Sequence, residues 1–281
     1  MMNEQMALQA RDLTKVFVRH KKVTEGGRRR RRRERFGALE AVSLTVRPHQ
    51  IHGIVGPNGC GKSTLIRIAS TLLLPDEGAM TVFGHDVVRQ PMTVQRLINR
   101  VSVDAAFFKK LSPNENLTYA ARLYGLPARR ARERATEILD DMGFDTARMD
   151  DSMQELSRGM QQKVAIARGL LTSPILILLD EPTTGLDPRS KRDVQAFIER
   201  LMARQEATIV LCTHDMEEAE RLCHQVAVMD DGRVVAEGTP AELRARCGRA
   251  GEGVGFDEVF IQLTGRTMEA AEQARLDEEV A

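Results

Sequence analysis

The stretch Gly56-Pro57-Asn58-Gly59-Cys60-Gly61-Lys62-Ser63-Thr64 constrains this chain more than any other. It fits the pattern G-x-x-x-x-G-K-[ST], a glycine-rich loop whose backbone N–H groups cradle phosphate oxygens. Before it, Ile51-His52-Gly53-Ile54-Val55 is short and apolar enough for a buried strand, and Leu65 to Leu73 after it reads as a helix. Strand, glycine loop and helix is the context the motif requires. The three glycines let the backbone curl, and the helix start adds unpaired N–H groups at the favourable dipole end for an anion. Lys62 supplies a mobile positive charge for the outer phosphates, and the Ser63 hydroxyl can ligate Mg²⁺. The loop specifies a nucleoside triphosphate; it does not specify what the energy drives.

At 281 residues with 42% apolar content, the chain can build one large core or two small ones. Its four cysteines, Cys60, Cys212, Cys223 and Cys247, form no C-x-x-C pair, which argues against a disulfide framework or a zinc ribbon. The N-terminus lacks the apolar centre of a signal peptide. Runs such as Ile175 to Leu179 fall far short of the roughly 18–20 residues that span a bilayer. The expectation is a soluble, cytoplasmic protein that reaches the inner face of a membrane only through a partner.

Charge is unevenly spread. Between Arg19 and Arg35 there are ten basic residues against Glu25 and Glu34, whereas the rest of the chain holds 31 basic and 38 acidic residues. The block includes six consecutive arginines, Arg28 to Arg33, and is expected to be disordered or a solvated loop because like charges repel. Anionic lipid headgroups are a candidate partner for it. No aromatics interleave the arginines for base stacking, so no nucleic acid partner is expected.

Strands and helices alternate along the rest of the chain, which argues for a mostly parallel sheet with helices on both faces. Residues 115–124 and 128–142 carry apolar spacings of three and four, and Gly125 and Gly143 are plausible stops. They form a helical insert within the α/β core. Pro174 to Glu181 is a wholly apolar strand ending in the carboxylates Asp180 and Glu181. Such strand ends sit at the crevice where open α/β sheets bind ligands. Asp180 can hold Mg²⁺ and Glu181 can orient and polarise an attacking water; phosphoryl transfer needs little beyond positioning and charge neutralisation. His214 ends the next strand, Thr208 to Thr213, where an imidazole can contact a γ-phosphate.

With these elements in order, the chain resembles the ATP-binding subunit of an ABC transporter. The phosphate loop is followed by Leu156-Ser157-Arg158-Gly159-Met160, which matches the family's signature, by Ile175 to Glu181, by Gly185-Leu186-Asp187 and by His214. The resemblance covers residues 5–240. It implies an α/β fold of the ABC ATPase type: a phosphate-loop core, an antiparallel β subdomain in the N-terminal part, and an α-helical subdomain over residues 104–156. The basic insert occupies residues 18–35 and an exporter-type tail residues 241–281. The resemblance further implies a head-to-tail homodimer closing on two Mg-ATP and driving an integral-membrane permease. Ser157 and Gly159 would meet the γ-phosphate bound by the other copy, Glu181 would be the general base or water-orienting residue, and Asp187 would tie the copies together. Cofactors implied are ATP and Mg²⁺. A different class of answer is a soluble ABC ATPase in cofactor assembly or in DNA and ribosome work.

Three departures from the family pattern stand out. Arg158 and Met160 replace two members of the usual Leu-Ser-Gly-Gly-Gln signature, a variant that resembles many exporter ATPases. No glutamine lies between Gln95 and Gln154, where the family places one at the junction of core and helical insert. Asp104 lies about where a metal-side residue belongs, with Ser102 as its rival. Phe17 is the choice for stacking on adenine, with Phe36 as the alternative. Gly255 to Arg266 resembles the tail of daunorubicin-resistance-type exporter ATPases, and Thr267 to Ala281 is expected to fray. Cys60 lies inside the phosphate loop, so a thiol reagent is expected to inhibit hydrolysis and ATP to protect.

Overall fold

The computed structural model describes residues 5–25, 28–102, 106–204, 207–246 and 255–280. The chain opens with two long antiparallel strands, β1 (Leu8–Glu25) and β2 (Arg28–Val46). Strand β3 (Ile51–Val55) is buried throughout and feeds the phosphate loop and α1 (Lys62–Ala69). The chain then returns through β4 (Glu77–Val82) and β5 (His85–Asp86), giving an antiparallel sheet of order β2-β1-β4-β5. Next come α2 (Pro91–Leu97) and β6 (Ile98–Ser102).

Helices α3 (Pro113–Leu123) and α4 (Ala128–Asp141) follow the helical spacing of the sequence. Ser112 and Glu115 close a capping box at the start of α3, which satisfies backbone donors that the first turn leaves free. Ala120, Ala135, Ile138 and Leu139 pack with α5 (Arg158–Leu170) in one cluster, so the insert is welded to the helix that the signature begins.

The second sheet is completed by β7 (Leu176–Asp180), α6 (Pro188–Ala203), β8 (Thr208–Thr213), α7 (Met216–Leu222), β9 (Gln225–Asp230) and β10 (Arg233–Gly238). Its order is β10-β9-β3-β8-β7-β6, parallel from β9 to β6, with β10 antiparallel at one edge. Strands β3, β7 and β8 are buried at every position, in keeping with their largely apolar runs in a sheet covered on both faces. One apolar cluster lies between this sheet and α5, α6 and α7; the other joins it to α1 and the antiparallel sheet. No helix among the described residues is long and apolar enough to cross a membrane.

Two segments differ from the sequence-based expectation. The basic block is not an unpaired loop: β1 and β2 remain in register from Phe17↔Phe36 through Arg19↔Glu34 to Glu25↔Arg28. Its flanks are already antiparallel neighbours, so the block only has to prolong an existing ladder. Arg19 and Glu34 also form a cross-strand ion pair at 3.3 Å. The tail is not frayed either. After α8 (Pro240–Arg246), helix α9 (Phe256–Thr264) buries Phe256, Val259 and Phe260 in the core. Helix α10 (Met268–Val280) follows, with Thr267 accepting from the Ala270 N–H at 3.1 Å as its cap and Ala271 buried.

Candidate active site

Register decides where the chemistry sits. Val55 at the end of β3 pairs with Thr213 at the end of β8, while Asp180 at the end of β7 pairs with Cys212 and with Ser102 of β6. The C-terminal ends of these strands therefore share one edge, the edge at which open α/β sheets place their ligands. Lys62, Ser63, Asp180, Glu181 and His214 all converge there.

Gly61 is the N-cap of α1 with φ of 111°, and a Cβ there would lie 2.4 Å from the Ala38 carbonyl oxygen. Only glycine meets both demands, so the loop closes tightly onto β2. Lys62 is buried; its Nζ donates to the carbonyl oxygens of Gly56 at 2.6 Å and Pro57 at 3.0 Å, and lies 3.6 Å from Glu181 Oε1. The Ser63 hydroxyl donates to Asp180 Oδ1 at 3.0 Å. Hydroxyl and carboxylate thus form a hard oxygen pair beside the loop, which suits Mg²⁺. Among the described residues no group of three His, Cys, Asp or Glu could hold a metal by itself. Mg²⁺ commonly binds through one or two protein oxygens together with substrate phosphates.

Glu181 follows β7 with φ of 56°, a backbone conformation that costs a non-glycine residue about 1–3 kcal/mol and recurs at functional sites. Its Oε2 accepts from the Thr184 hydroxyl at 2.6 Å and lies 2.6 Å from His214 Nδ1. Its Oε1 is buried without a hydrogen-bond partner. Burial pushes the Glu181 carboxyl up, but hydrogen bonds from His214 and Thr184 and the Lys62 charge together hold it below the usual carboxylate range. The hydrogen bond to Glu181 raises His214, against burial. A carboxylate only accepts, so Nδ1 is the protonated nitrogen of this pair.

The other expected residues divide. Phe17, Asn58, Gly59 and Thr64 line a cavity of about 550 Å³ beside the loop, together with Arg19, Phe36 and Arg67. Phe17 and Phe36 stack on each other with centroids 5.6 Å apart, so both aromatics are available and the choice between them stays open. Ser157 and Gly159 do not line this cavity. Ser157 caps α5, accepting from the Met160 N–H at 3.3 Å. Asp187 caps α6, accepting from the N–H groups of Arg189 at 3.1 Å and Ser190 at 3.0 Å. Asp104 lies outside the described residues.

Sequence reasoning missed Arg100 and Thr184. Arg100 of β6 donates to Asp180 Oδ2 at 2.8 Å, which leaves Oδ1 to Ser63. A lone arginine in the short strand Ile98–Ser102 was its only signal, and nothing in the spacing links it to Asp180, 80 residues on. Thr184 steers Glu181 from three residues downstream.

The model of the ABC transporter family matches residues 39–184. The daunorubicin/doxorubicin resistance ATP-binding protein DrrA of Streptomyces peucetius is 44% identical over 211 residues, covering 75% of this chain and 63% of DrrA. The daunorubicin resistance ATP-binding protein DrrA3 of Streptomyces coeruleorubidus is 40% identical over 249 residues, covering 84% of this chain and 78% of its own length. Among solved structures, the dimeric post-hydrolysis state of the ATP-binding cassette MJ0796 bound to ADP and Pi matches with a TM-score of 0.71 and 27% identity, covering 83% of this chain and 98% of that one.

Cys60 corrects one expectation. Its side chain is fully buried, and burial raises the thiol above its ordinary value despite the Lys62 charge. A buried thiol with little thiolate is a poor nucleophile. In the native chain at pH 8, peptide mapping after a disulfide reagent is expected to find Cys60 modified at least about tenfold more slowly than in the denatured chain. Equal rates would show the loop to be open.

Proposed function

The chain belongs to the ABC transporter family, and from that premise we propose that it is the ATP-binding and ATP-hydrolysing subunit of an exporter. The observation that carries this is the convergence of Lys62, Ser63, Asp180, Glu181 and His214 on one sheet edge, with Glu181 Oε2 held by two hydrogen bonds and Oε1 without one, 3.6 Å from Lys62. The DrrA-type relatives and the tail from Gly255 to Arg266 support the exporter branch.

In this reading the triphosphate lies along Gly56 to Thr64, and Phe17 or Phe36 faces the adenine. Lys62, now on the Gly56 and Pro57 carbonyls, turns to the outer phosphates. Ser63 and Asp180 would hold Mg²⁺, which supplies charge neutralisation at the phosphate oxygens; Arg100 keeps Asp180 oriented. Ionised Glu181, pinned through Oε2, offers Oε1 to the attacking water. His214 fixes Glu181 and stands beside the γ-phosphate position.

The signature supplies the rest from a second copy. Ser157 and Gly159 begin α5, where backbone N–H groups and the helix dipole favour an anion. Because they do not line the cavity of their own chain, a head-to-tail dimer would bring them to the other copy's γ-phosphate, with Asp187 at the seam. The dimeric ADP and Pi state of MJ0796 supports this arrangement. Closure and reopening would drive an integral-membrane permease at the inner face of the membrane, and the Arg28 to Arg33 stretch of the hairpin would lie against anionic lipid there.

Replacing Glu181 with Gln is expected to lower steady-state ATP hydrolysis by about a hundredfold or more while ATP binding persists. Turnover at the wild-type rate would remove Glu181 from the chemistry. For the hairpin, neutralising Arg28 to Arg33 is expected to abolish a preference for anionic over neutral vesicles. Equal binding of the two chains to anionic vesicles would refute the lipid contact.

A further inference from the structure

Helix α10 does not lie free at the end of the chain. Glu272 Oε1 accepts from the Asn58 N–H at 2.9 Å, so a carboxylate already occupies a donor of the phosphate loop. One turn on, Arg275 donates to the Gly59 carbonyl oxygen. The same guanidinium holds Asp231 Oδ1, at 3.1 Å from Nε and 2.8 Å from its second terminal nitrogen. Glu272 and Arg275 also line the cavity that contains Phe17, Phe36 and Thr64.

The attachment is built as a hinge. Behind α10, α9 is fixed by Phe256, Val259 and Phe260 in the core. Arg266 ties the junction down through Asp230 at 2.8 Å and Asp231 at 2.6 Å. Between α9 and this tie sits Gly265, the C-cap of α9, with φ of 75° and open space around it. Helix α10 meets the body through Met268, which packs on the core, through the buried Ala271, and beyond them through polar contacts that water and ions can replace. The apolar anchorage of α10 is thus smaller than the three buried side chains of α9, so α10 is the part of the tail that can leave and return.

We propose that α10 is an internal competitor of the nucleotide: Glu272 stands in for a phosphate oxygen on the phosphate loop, and ATP must displace the helix to bind and to let a second copy approach. This rests on the reading that the loop binds ATP. The conflict is electrostatic and steric. A carboxylate on Asn58 repels a triphosphate laid along the same loop, and α10 covers part of the space that the base and sugar need. Binding of ATP therefore selects the undocked helix, and its apparent affinity falls by the fraction of time that α10 is docked. The tail thus sets the ATP concentration at which the two copies close.

The test is equilibrium binding of a fluorescent ATP analogue to the full chain, to Glu272→Ala, to Arg275→Ala and to a chain ending at Thr267. Alanine keeps the helix propensity of α10. If the helix is docked about nine-tenths of the time, each change tightens binding by up to about tenfold. Amide exchange supplies the second readout: residues 268–275 lose protection when ATP is added to the full chain. Lys62→Ala separates the two layers of the argument. Binding indifferent to Lys62 would overturn the site reading and this proposal with it. Lys62-dependent binding that none of the three α10 changes strengthens would overturn this proposal alone, as would α10 amides that stay protected at saturating ATP.

Discussion

The parallel pairing of β3, β7 and β8 is the constraint on which the rest of the structure depends. It brings the loop after Val55, the carboxylates at Asp180 and Glu181, and His214 after Thr213 to one edge. Parallel neighbours need crossover connections, so each strand end arrives with a helix behind it. The loop after β3 is followed by α1, whose first residues are Lys62 and Ser63. Elsewhere in the chain these groups are far apart; the register alone makes them a site.

What then holds the site is a set of buried charges that satisfy one another. Lys62, Asp180 and Glu181 are all buried, and such groups are costly unless each is paired and hydrogen-bonded. Asp180 is shared between Ser63 and Arg100, and Glu181 between Thr184 and His214 with Lys62 nearby. Two features escape this mutual satisfaction: the strained backbone of Glu181 and its Oε1, which has the Lys62 charge nearby but no hydrogen bond. Both fall on the residue proposed to face water and phosphate. A further buried carboxylate, Glu218, supports the same loop by accepting from the Thr183 hydroxyl at 2.7 Å, and burial raises it.

Much of this was legible in the sequence, for physical reasons that differ from residue to residue. The phosphate loop, the apolar strand before Asp180 and the helical spacing of residues 115–142 are local patterns, and the structure places them as expected. Arg100 was not legible because its meaning comes from the β6–β7 register, a non-local pairing. The arginine block was misread because repulsion among like charges was weighed without the ladder on either side of it. The expected fraying of the last segment does not allow for Glu272 and Arg275, whose contacts with the phosphate loop and Asp231 come from the tertiary fold. Cys60 carried a motif position but not its burial, which belongs to the tertiary fold.

In the proposed dimer each site is shared between two chains, with Lys62 of one and Ser157 of the other. Mixing a Ser157→Arg chain with a Lys62→Ala chain tests it most directly. Each variant alone forms only defective sites, while a mixed dimer rebuilds one whole site from its two intact halves. ATP hydrolysis is expected to reappear on mixing, at up to about a quarter of the wild-type rate given random pairing. A mixture no more active than the two variants measured apart would contradict it.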